Sequence, residues 1–175
     1  EELSRILKTS ALLDCKCAIL GAGTNVLAPD AGVPGLVICL KDGLEGMEQL
    51  DDTRIRVMAG VTMTRAAVFA AGRGLTGMEF AHGIPGSVGG GVYMNAGAYG
   101  GELCQIVESV EVMSLRGELR TLSNSEMAFS YRHSVLEESG EIVVSAVFRL
   151  SKDDPEAIRE RMRQLQAKRS ASQPL

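Results

Sequence analysis

Several things are missing from this chain, and each absence closes a line of interpretation. Basic charge is not in excess: 18 Lys and Arg stand against 22 Asp and Glu, for a formal net charge of −4. A dedicated nucleic-acid binder ordinarily shows a basic stripe, so nucleic acid is not an expected partner. No apolar run approaches the roughly 20 residues that cross a bilayer, so no membrane partner is expected either. The opening residues, EELSRILK, are polar and helix-like rather than signal-like. There is no initiating methionine, so the chain is read as a fragment or a processed product. Metal ligands are scarce as well. The two histidines and the four cysteines, at 15, 17, 39 and 104, show neither C-x-x-C nor H-E-x-x-H spacing. The cysteines are read as reduced, mostly buried thiols, which makes the cytoplasm the default address.

What remains is an ordinary soluble composition with one excess. At 175 residues the chain is about one domain. Its 20 glycines exceed the usual share of roughly 7%. They gather around Gly21 and in FAHGIPGSVGGGVYMNAGAYGGE, from Phe80 to Glu102.

Periodicity supplies the elements around those clusters. A helix is expected near Glu2 to Lys8, with Leu3, Ile6 and Leu7 on one face. Buried strands are expected at Cys17 to Leu20 and Leu36 to Leu40, and a half-buried one at Arg54 to Met58. Thr64 to Arg73 reads as a helix whose alanines and Val68 form a small, closely packing face. Ile106 to Met113 turns at Arg116-Gly117 into Leu119 to Leu122 as a hairpin. Ser123 to Ala128 reads as a short helix and Glu141 to Leu150 as a valine-rich strand. The last helix is capped by Asp154, starts at Pro155, and repeats Ile158, Met162 and Leu165 on one face. Strands and helices mix without regular βαβ alternation, so the fold class is α+β.

The two glycine clusters differ in specificity. CAILGAGTNVL opens like a dinucleotide fingerprint, but Val26 stands where its third glycine belongs. Leu27-Ala-Pro29-Asp30 cannot begin the helix on which such a fold sets its pyrophosphate. Taken alone, this stretch also suits a strand followed by an irregular turn. Neither cluster ends in Gly-Lys-Ser/Thr, so a P-loop is excluded. The segment Gly83 to Gly90 offers successive backbone N–H groups without β-carbons, the makings of an anion-binding nest. Ser87, Asn95 and Tyr99 add hydrogen-bonding groups. No Lys or Arg lies between Phe80 and Glu102, so a phosphate there would rest on backbone dipoles. A tightly packed corner that needs small residues is the other reading.

GAGTNVL, GIPGSVGGGVYMNAGAYGGE and YRHS occur in the order and at roughly the spacing seen in the UDP-N-acetylenolpyruvoylglucosamine reductases, and the chain resembles that family from Glu1 to Leu175. The resemblance implies an FAD-binding domain of the PCMH or vanillyl-alcohol-oxidase type, α+β in two subdomains, the first incomplete. It spans residues 1–170, with 171–175 beginning a linker to a C-terminal substrate-binding domain. Gly21, Ala22, Gly23, Thr24, Asn25 and Leu27 resemble the family's first FAD loop. Gly83, Ile84, Pro85, Gly86, Ser87, Gly89 and Gly90 resemble its second, continued toward the flavin by Asn95, Gly97, Ala98, Tyr99 and Gly100. Arg132 matches an arginine beside substrate and flavin, the implied catalytic residue, with Tyr131 and Ser134 on the substrate side. His82 and His133 match no catalytic role.

The implied reaction, in peptidoglycan precursor synthesis, reduces the enolpyruvyl double bond of a nucleotide-sugar substrate, with NADPH as hydride donor and FAD as carrier. The forked guanidinium of Arg132 suits charge developing on the substrate carboxylate. The family's N-terminal segment and its third domain fall outside the match, and with them the proton-donating serine and a late glutamate. These 175 residues alone are therefore expected to be inactive. A monomer is expected. A non-catalytic flavin-binding module, or an oxidase of the same flavin superfamily, are the alternatives.

Overall fold

Two valine-rich stretches far apart in sequence build the sheet on which the rest is laid. The computed structural model describes residues 1–172. Its elements in chain order are α1 (Glu2–Leu12), β1 (Cys17–Leu20), β2 (Leu36–Cys39), β3 (Met47–Gln49), β4 (Arg54–Met58), α2 (Met63–Ala71) and β5 (Leu75–Thr76). Then come α3 (Val88–Tyr93), β6 (Gly97–Ala98), β7 (Gly101–Glu102), β8 (Val107–Met113) and β9 (Leu119–Ser123). The chain continues through α4 (Leu136–Ser139), β10 (Ile142–Arg149), β11 (Ser151–Lys152) and α5 (Pro155–Ser172).

β10 is the centre of a five-stranded antiparallel sheet of order β3-β4-β10-β8-β9. Every residue from Ile142 to Phe148 is buried, as in a strand covered on both faces. Ile142 and Val144 join Leu7, Leu40 and Met113 in a small cluster. Val143, Ala146 and Phe148 belong to the main core. The parity of inward-facing residues thus changes along the strand, because the register shifts between Val143 and Ser145. An extra residue in one strand reverses which side chains point to which face. One strand serves two cores.

The small cluster roofs the first unit, in which α1 covers the parallel pair β1–β2. Leu7 is 1% exposed and pins the helix, a burial worth roughly 2 kcal/mol. On the main core, α2 begins at Thr62, whose hydroxyl accepts the Arg65 amide at 3.2 Å. Ala66, Ala67, Ala70 and Ala71 form its buried face. Val68, expected on that face, is 53% exposed, because its position on the helical wheel turns it outward.

α5 starts as expected, with the Ala157 amide donating to Asp154 Oδ2 at 3.0 Å and Ile158 and Met162 buried. It extends through Ser172, into the stretch read as the start of a linker, of which 173–175 lie outside the described residues. No helix among the described residues is long and apolar enough to cross a membrane.

Two expectations are corrected here. The stretch expected as a helix from Ser123 to Ala128 is instead the end of β9 at Ser123 followed by turns from Asn124 to Ala128. The Ser123 amide and hydroxyl both donate to Glu126, at 2.8 and 2.6 Å, and Ala128 is left-handed at φ +47°, which stops helical propagation. The cysteines are free but none is buried: Cys15 and Cys39 are exposed, Cys17 and Cys104 half-buried.

A buried carboxylate ties α5 to this frame. Glu79, 8% exposed, accepts bonds from Thr76, the Gly77 amide and Arg161 of α5. Burial pushes its pKa up, but these bonds outweigh that and hold it below the ordinary 4.5. The stabilisation is therefore complete above about pH 4.5 and is lost as pH falls through the folded-state value. Glu79→Gln is expected to lower the Tm at pH 7 and to narrow its deficit against the parent in acid. Thermal unfolding of both proteins between neutral and acid pH measures this, and a deficit independent of pH would remove Glu79 from the acid response.

Candidate functional site

The first glycine loop leaves β1 at Gly21 and runs along the side of α3. A β-carbon at Gly21 would lie 2.6 Å from Oγ of Ser87, the residue that caps α3. Thr24 Oγ1 donates to the Pro85 carbonyl at 3.2 Å. Asn25 Nδ2 reaches Met94 Sδ, just past the other end of α3, at 2.9 Å. The two glycine clusters therefore meet in space. Six helical residues measure about 9 Å, so the first loop spans that length.

The expected continuous nest from Gly83 to Gly90 is interrupted. The amides of Gly83 and Ile84 donate to Thr64 Oγ1 and the Ala81 carbonyl, both at 3.1 Å. Val88 and Gly89 donate to the carbonyls of Val61 and Ala59 at 2.8 and 2.9 Å, and Gly90 to Ser87 Oγ at 3.4 Å. Pro85 has no N–H. That leaves Gly86 and Ser87, whose amides make no hydrogen bond among the described residues. Those of Gly21, Ala22, Gly23, Thr24 and Asn25 make none either. Unpaired donors from two loops replace one unbroken array.

The glycines divide accordingly. A β-carbon at Gly89 would lie 2.8 Å from Ala59 Cβ, and one at Gly101 would lie 2.5 Å from the Phe80 ring. Gly83 faces Gln166 Oε1 at 2.7 Å, and Gly97 faces the Gly101 carbonyl at 2.6 Å. These are kept bare by the protein's own packing, which corrects Gly83, Gly89 and Gly97 as places where only a cofactor forbids a side chain. Gly86 is different. Its φ of +135° is closed to other residues, and Thr24 Oγ1 at 3.3 Å is its sole close neighbour.

Beyond the other end of α3 lies a cavity of about 290 Å³, lined by Asn95, Gly97, Ala98, Tyr99, Gly100, Gly101, Glu102, Tyr131 and Arg132. The expected residues of the third segment and of YRHS thus converge. Gly101 and Glu102 were missed as site residues, although they close the same motif. Asn95, Tyr99 and Arg132 all have left-handed backbones, at φ +46°, +55° and +57°. Such conformations are uncommon outside glycine and concentrate at functional sites. Tyr131 and Arg132 form the tip of a turn closed by two backbone bonds between Ser130 and His133, at 3.1 and 3.3 Å. The exposed Arg132 guanidinium has no ion pair or hydrogen bond among the described residues. An unpaired fork at a cavity rim can accept a carboxylate. A larger hollow of about 380 Å³ between α1 and β2 is lined by none of these residues.

Several expected contacts are instead internal. Ser134 is 0% exposed and donates to the Tyr93 carbonyl at 2.6 Å, so it cannot reach a ligand. Asn95 is 3% exposed, with its amide bonded to Glu102, Ser130 and Cys104. Ser87 is 2% exposed and caps α3. Leu27, 98% exposed, touches neither α3 nor the cavity. Burial, aided by the charge of Arg169, lowers the pKa of His82 below the ordinary 6.5 and so favours its neutral form. His133 is engaged by Glu137 at 2.6 Å.

Comparison with known proteins places the chain as a whole. The family model described as an FAD binding domain matches residues 1–123. The UDP-N-acetylenolpyruvoylglucosamine reductase of Lactobacillus helveticus is 44% identical over 175 residues, covering 100% of this chain and 58% of its own. That of Caulobacter sp. (strain K31) is 45% identical over 156 residues, 89% of this chain and 51% of its own. The chain thus spans between half and three-fifths of these curated relatives. The crystal structure of UDP-N-acetylenolpyruvylglucosamine reductase from Thermus caldophilus superposes with a TM-score of 0.80 at 32% identity, over 98% of this chain and 61% of that one. An alkyldihydroxyacetonephosphate synthase structure, at 14% identity and a TM-score of 0.64 over 86% of this chain and 30% of that one, shares the fold alone.

Two glycine substitutions separate the two roles. Gly86→Val is expected to abolish FAD binding while leaving the far-UV circular dichroism intact, since it strains the loop beside the unpaired amides. Gly89→Ala is expected to cost about 1–3 kcal/mol of stability through overpacking against Ala59, and to change FAD affinity little. Denaturant unfolding and flavin fluorescence titration read both. Equal effects on affinity would dissolve the distinction.

Proposed function

The chain belongs to the FAD binding domain family and has the α+β fold of the PCMH type, and from that footing we propose that it is the FAD-binding part of an NADPH-dependent reductase of UDP-N-acetylenolpyruvoylglucosamine. The observation that carries this reading is the set of seven amides unpaired among the described residues, at Gly86 and Ser87 by the start of α3 and from Gly21 to Asn25 along its side, with an arginine unpaired among those residues near its other end. A diphosphate fits the first place. Convergent N–H dipoles favour an anion where no cationic side chain competes or assists. An extended dinucleotide fits the roughly 9 Å between the two places.

In this reading the residues divide the work. FAD, when bound, supplies the two-electron carrier between nicotinamide and substrate. Gly21 to Asn25, Gly86 and Ser87 would hold its diphosphate through backbone donors, and Tyr99 and Gly100, which line the cavity, would hold its ring system. Arg132 binds the substrate carboxylate with two parallel N–H bonds and stabilises the negative charge that accumulates there on reduction. NADPH as the donor, the nucleotide-sugar substrate, a monomeric state and a cytoplasmic address complete the proposal. Of these, the nucleotide-sugar substrate is supported by the names of the similar Lactobacillus and Thermus enzymes.

FAD is expected to bind more tightly than FMN, because both glycine loops contribute only to the longer ligand. Parallel titrations decide this, and selective FMN binding would sink the reading. In the full-length enzyme, Arg132→Lys is expected to lower turnover roughly 100-fold with FAD affinity unchanged, since lysine keeps the charge but loses the fork. The 175 residues alone, loaded with FAD and mixed anaerobically with NADPH and substrate, are expected to leave the substrate unreduced. Conversion at the full-length rate would place the proton donor within them.

A further inference from the structure

Asn95 carries three hydrogen bonds on one buried amide. Its Nδ2 donates to the Ser130 carbonyl and to Glu102 Oε2, each at 3.0 Å, and its Oδ1 accepts the Cys104 amide at 2.9 Å. The orientation of the amide is not arbitrary: a carbonyl can only accept and a backbone N–H can only donate, so the partners fix which atom is nitrogen. Two of the partners tie together segments that line the 290 Å³ cavity. Glu102 ends the β6–β7 hairpin, and Ser130 is the residue before Tyr131 and Arg132. A second tether reaches the same turn from its other side, where the buried Ser134 hydroxyl donates to the Tyr93 carbonyl at the end of α3. Among the described residues Arg132 has no bond that would hold its side chain, and its backbone is left-handed at φ +57°. Whatever aims the guanidinium must act through the turn.

We infer that Asn95 and Ser134 are positioning residues that clamp the Ser130–His133 turn onto the end of α3 and so set where the Arg132 guanidinium meets the substrate. The inference rests on the role proposed above for Arg132. Asparagine suits the position on two counts. It tolerates the left-handed backbone that Asn95 adopts, and it presents a donor and an acceptor from one planar group. Aspartate would set a second carboxylate against Glu102 and an acceptor against the Ser130 carbonyl. A misplacement of about 1 Å at a reacting group costs on the order of 100-fold in rate, so a loosened turn should register in turnover rather than in cofactor binding.

A double-mutant cycle in the full-length enzyme tests this. Asn95→Gly removes the amide without straining the backbone and is expected to lower kcat 10- to 100-fold, with the KM for NADPH and the affinity for FAD unchanged. In an Arg132→Ala background the same change is expected to lower kcat less than threefold further, because the group it positions is gone. Ser134→Ala is expected to repeat the pattern more weakly, and it serves as the readout if Asn95→Gly does not fold. Equal losses in both backgrounds would overturn the positioning role. An Arg132→Ala enzyme with parental turnover would instead overturn the role of Arg132, and with it this inference, which keeps the two failures distinct.

Discussion

Everything at the candidate site hangs on how closely α3 lies against the strand–helix connection that follows β4. The Gly89 amide donates to the Ala59 carbonyl at 2.9 Å, the Val88 amide to Val61 at 2.8 Å, and the Met63 amide back to Gly86 at 3.0 Å. A β-carbon at Gly89 would fall 2.8 Å from Ala59 Cβ, so this seam forms only with a bare backbone. Once α3 is seated there, Ser87 sits at Gly21 and the first loop is drawn alongside. The Tyr93 carbonyl at the far end becomes the anchor for Ser134. Packing inside the protein thus comes first, and the ligand-facing geometry is its by-product.

The strained backbones make sense on the same footing. Asn95, Tyr99 and Arg132 are left-handed without being glycine, and all three border one cavity. Each such conformation costs of the order of 1 kcal/mol or more, and it persists because neighbouring bonds over-determine it. For Asn95 those bonds are visible in its three-way amide contact. For Arg132 they are the reciprocal bonds of Ser130 and His133. Tyr99 has the guanidinium of Arg169 set 5.8 Å over its ring.

Much of this was legible in the residues. Alternating and continuous valine runs announced β8 and β10, and Asp154-Pro155 announced the start of α5, because those signals are local. α3 was not legible. Val-Gly-Gly-Gly-Val-Tyr is a poor helix former by propensity, and only its tertiary seam and the Ser87 cap hold it in shape. β3 and β5 were missed because strands of three and two residues carry too little pattern. At the site, the motifs named residues that the fold brings together around α3 and one cavity, but not who faces whom. Asn95 and Ser134 look like ligand contacts in a list of polar residues, and only burial shows that their bonds point inward. The nest from Gly83 to Gly90 looked continuous because sequence cannot reveal which amides the fold has already paired.

The strand order has a consequence for how the chain reaches this state. β3–β4 and β8–β9 are hairpins that share no ladder, joined at the side-chain level where Arg54 meets Glu108 at 3.2 Å. Each pairs inward only with β10, which is the last long strand in the chain. β5, made early, likewise waits for β11. During synthesis from the N-terminus the sheet has no centre until residues 142–149 have emerged, and α3 has no floor to settle on. The nascent chain therefore carries two separate hairpins and a glycine-rich segment with most of its lasting contacts still unmade. Assembly then proceeds through pairings of long sequence separation, the slow kind. A ribosome paused before Ile142 holds a chain that cannot yet close around any ligand.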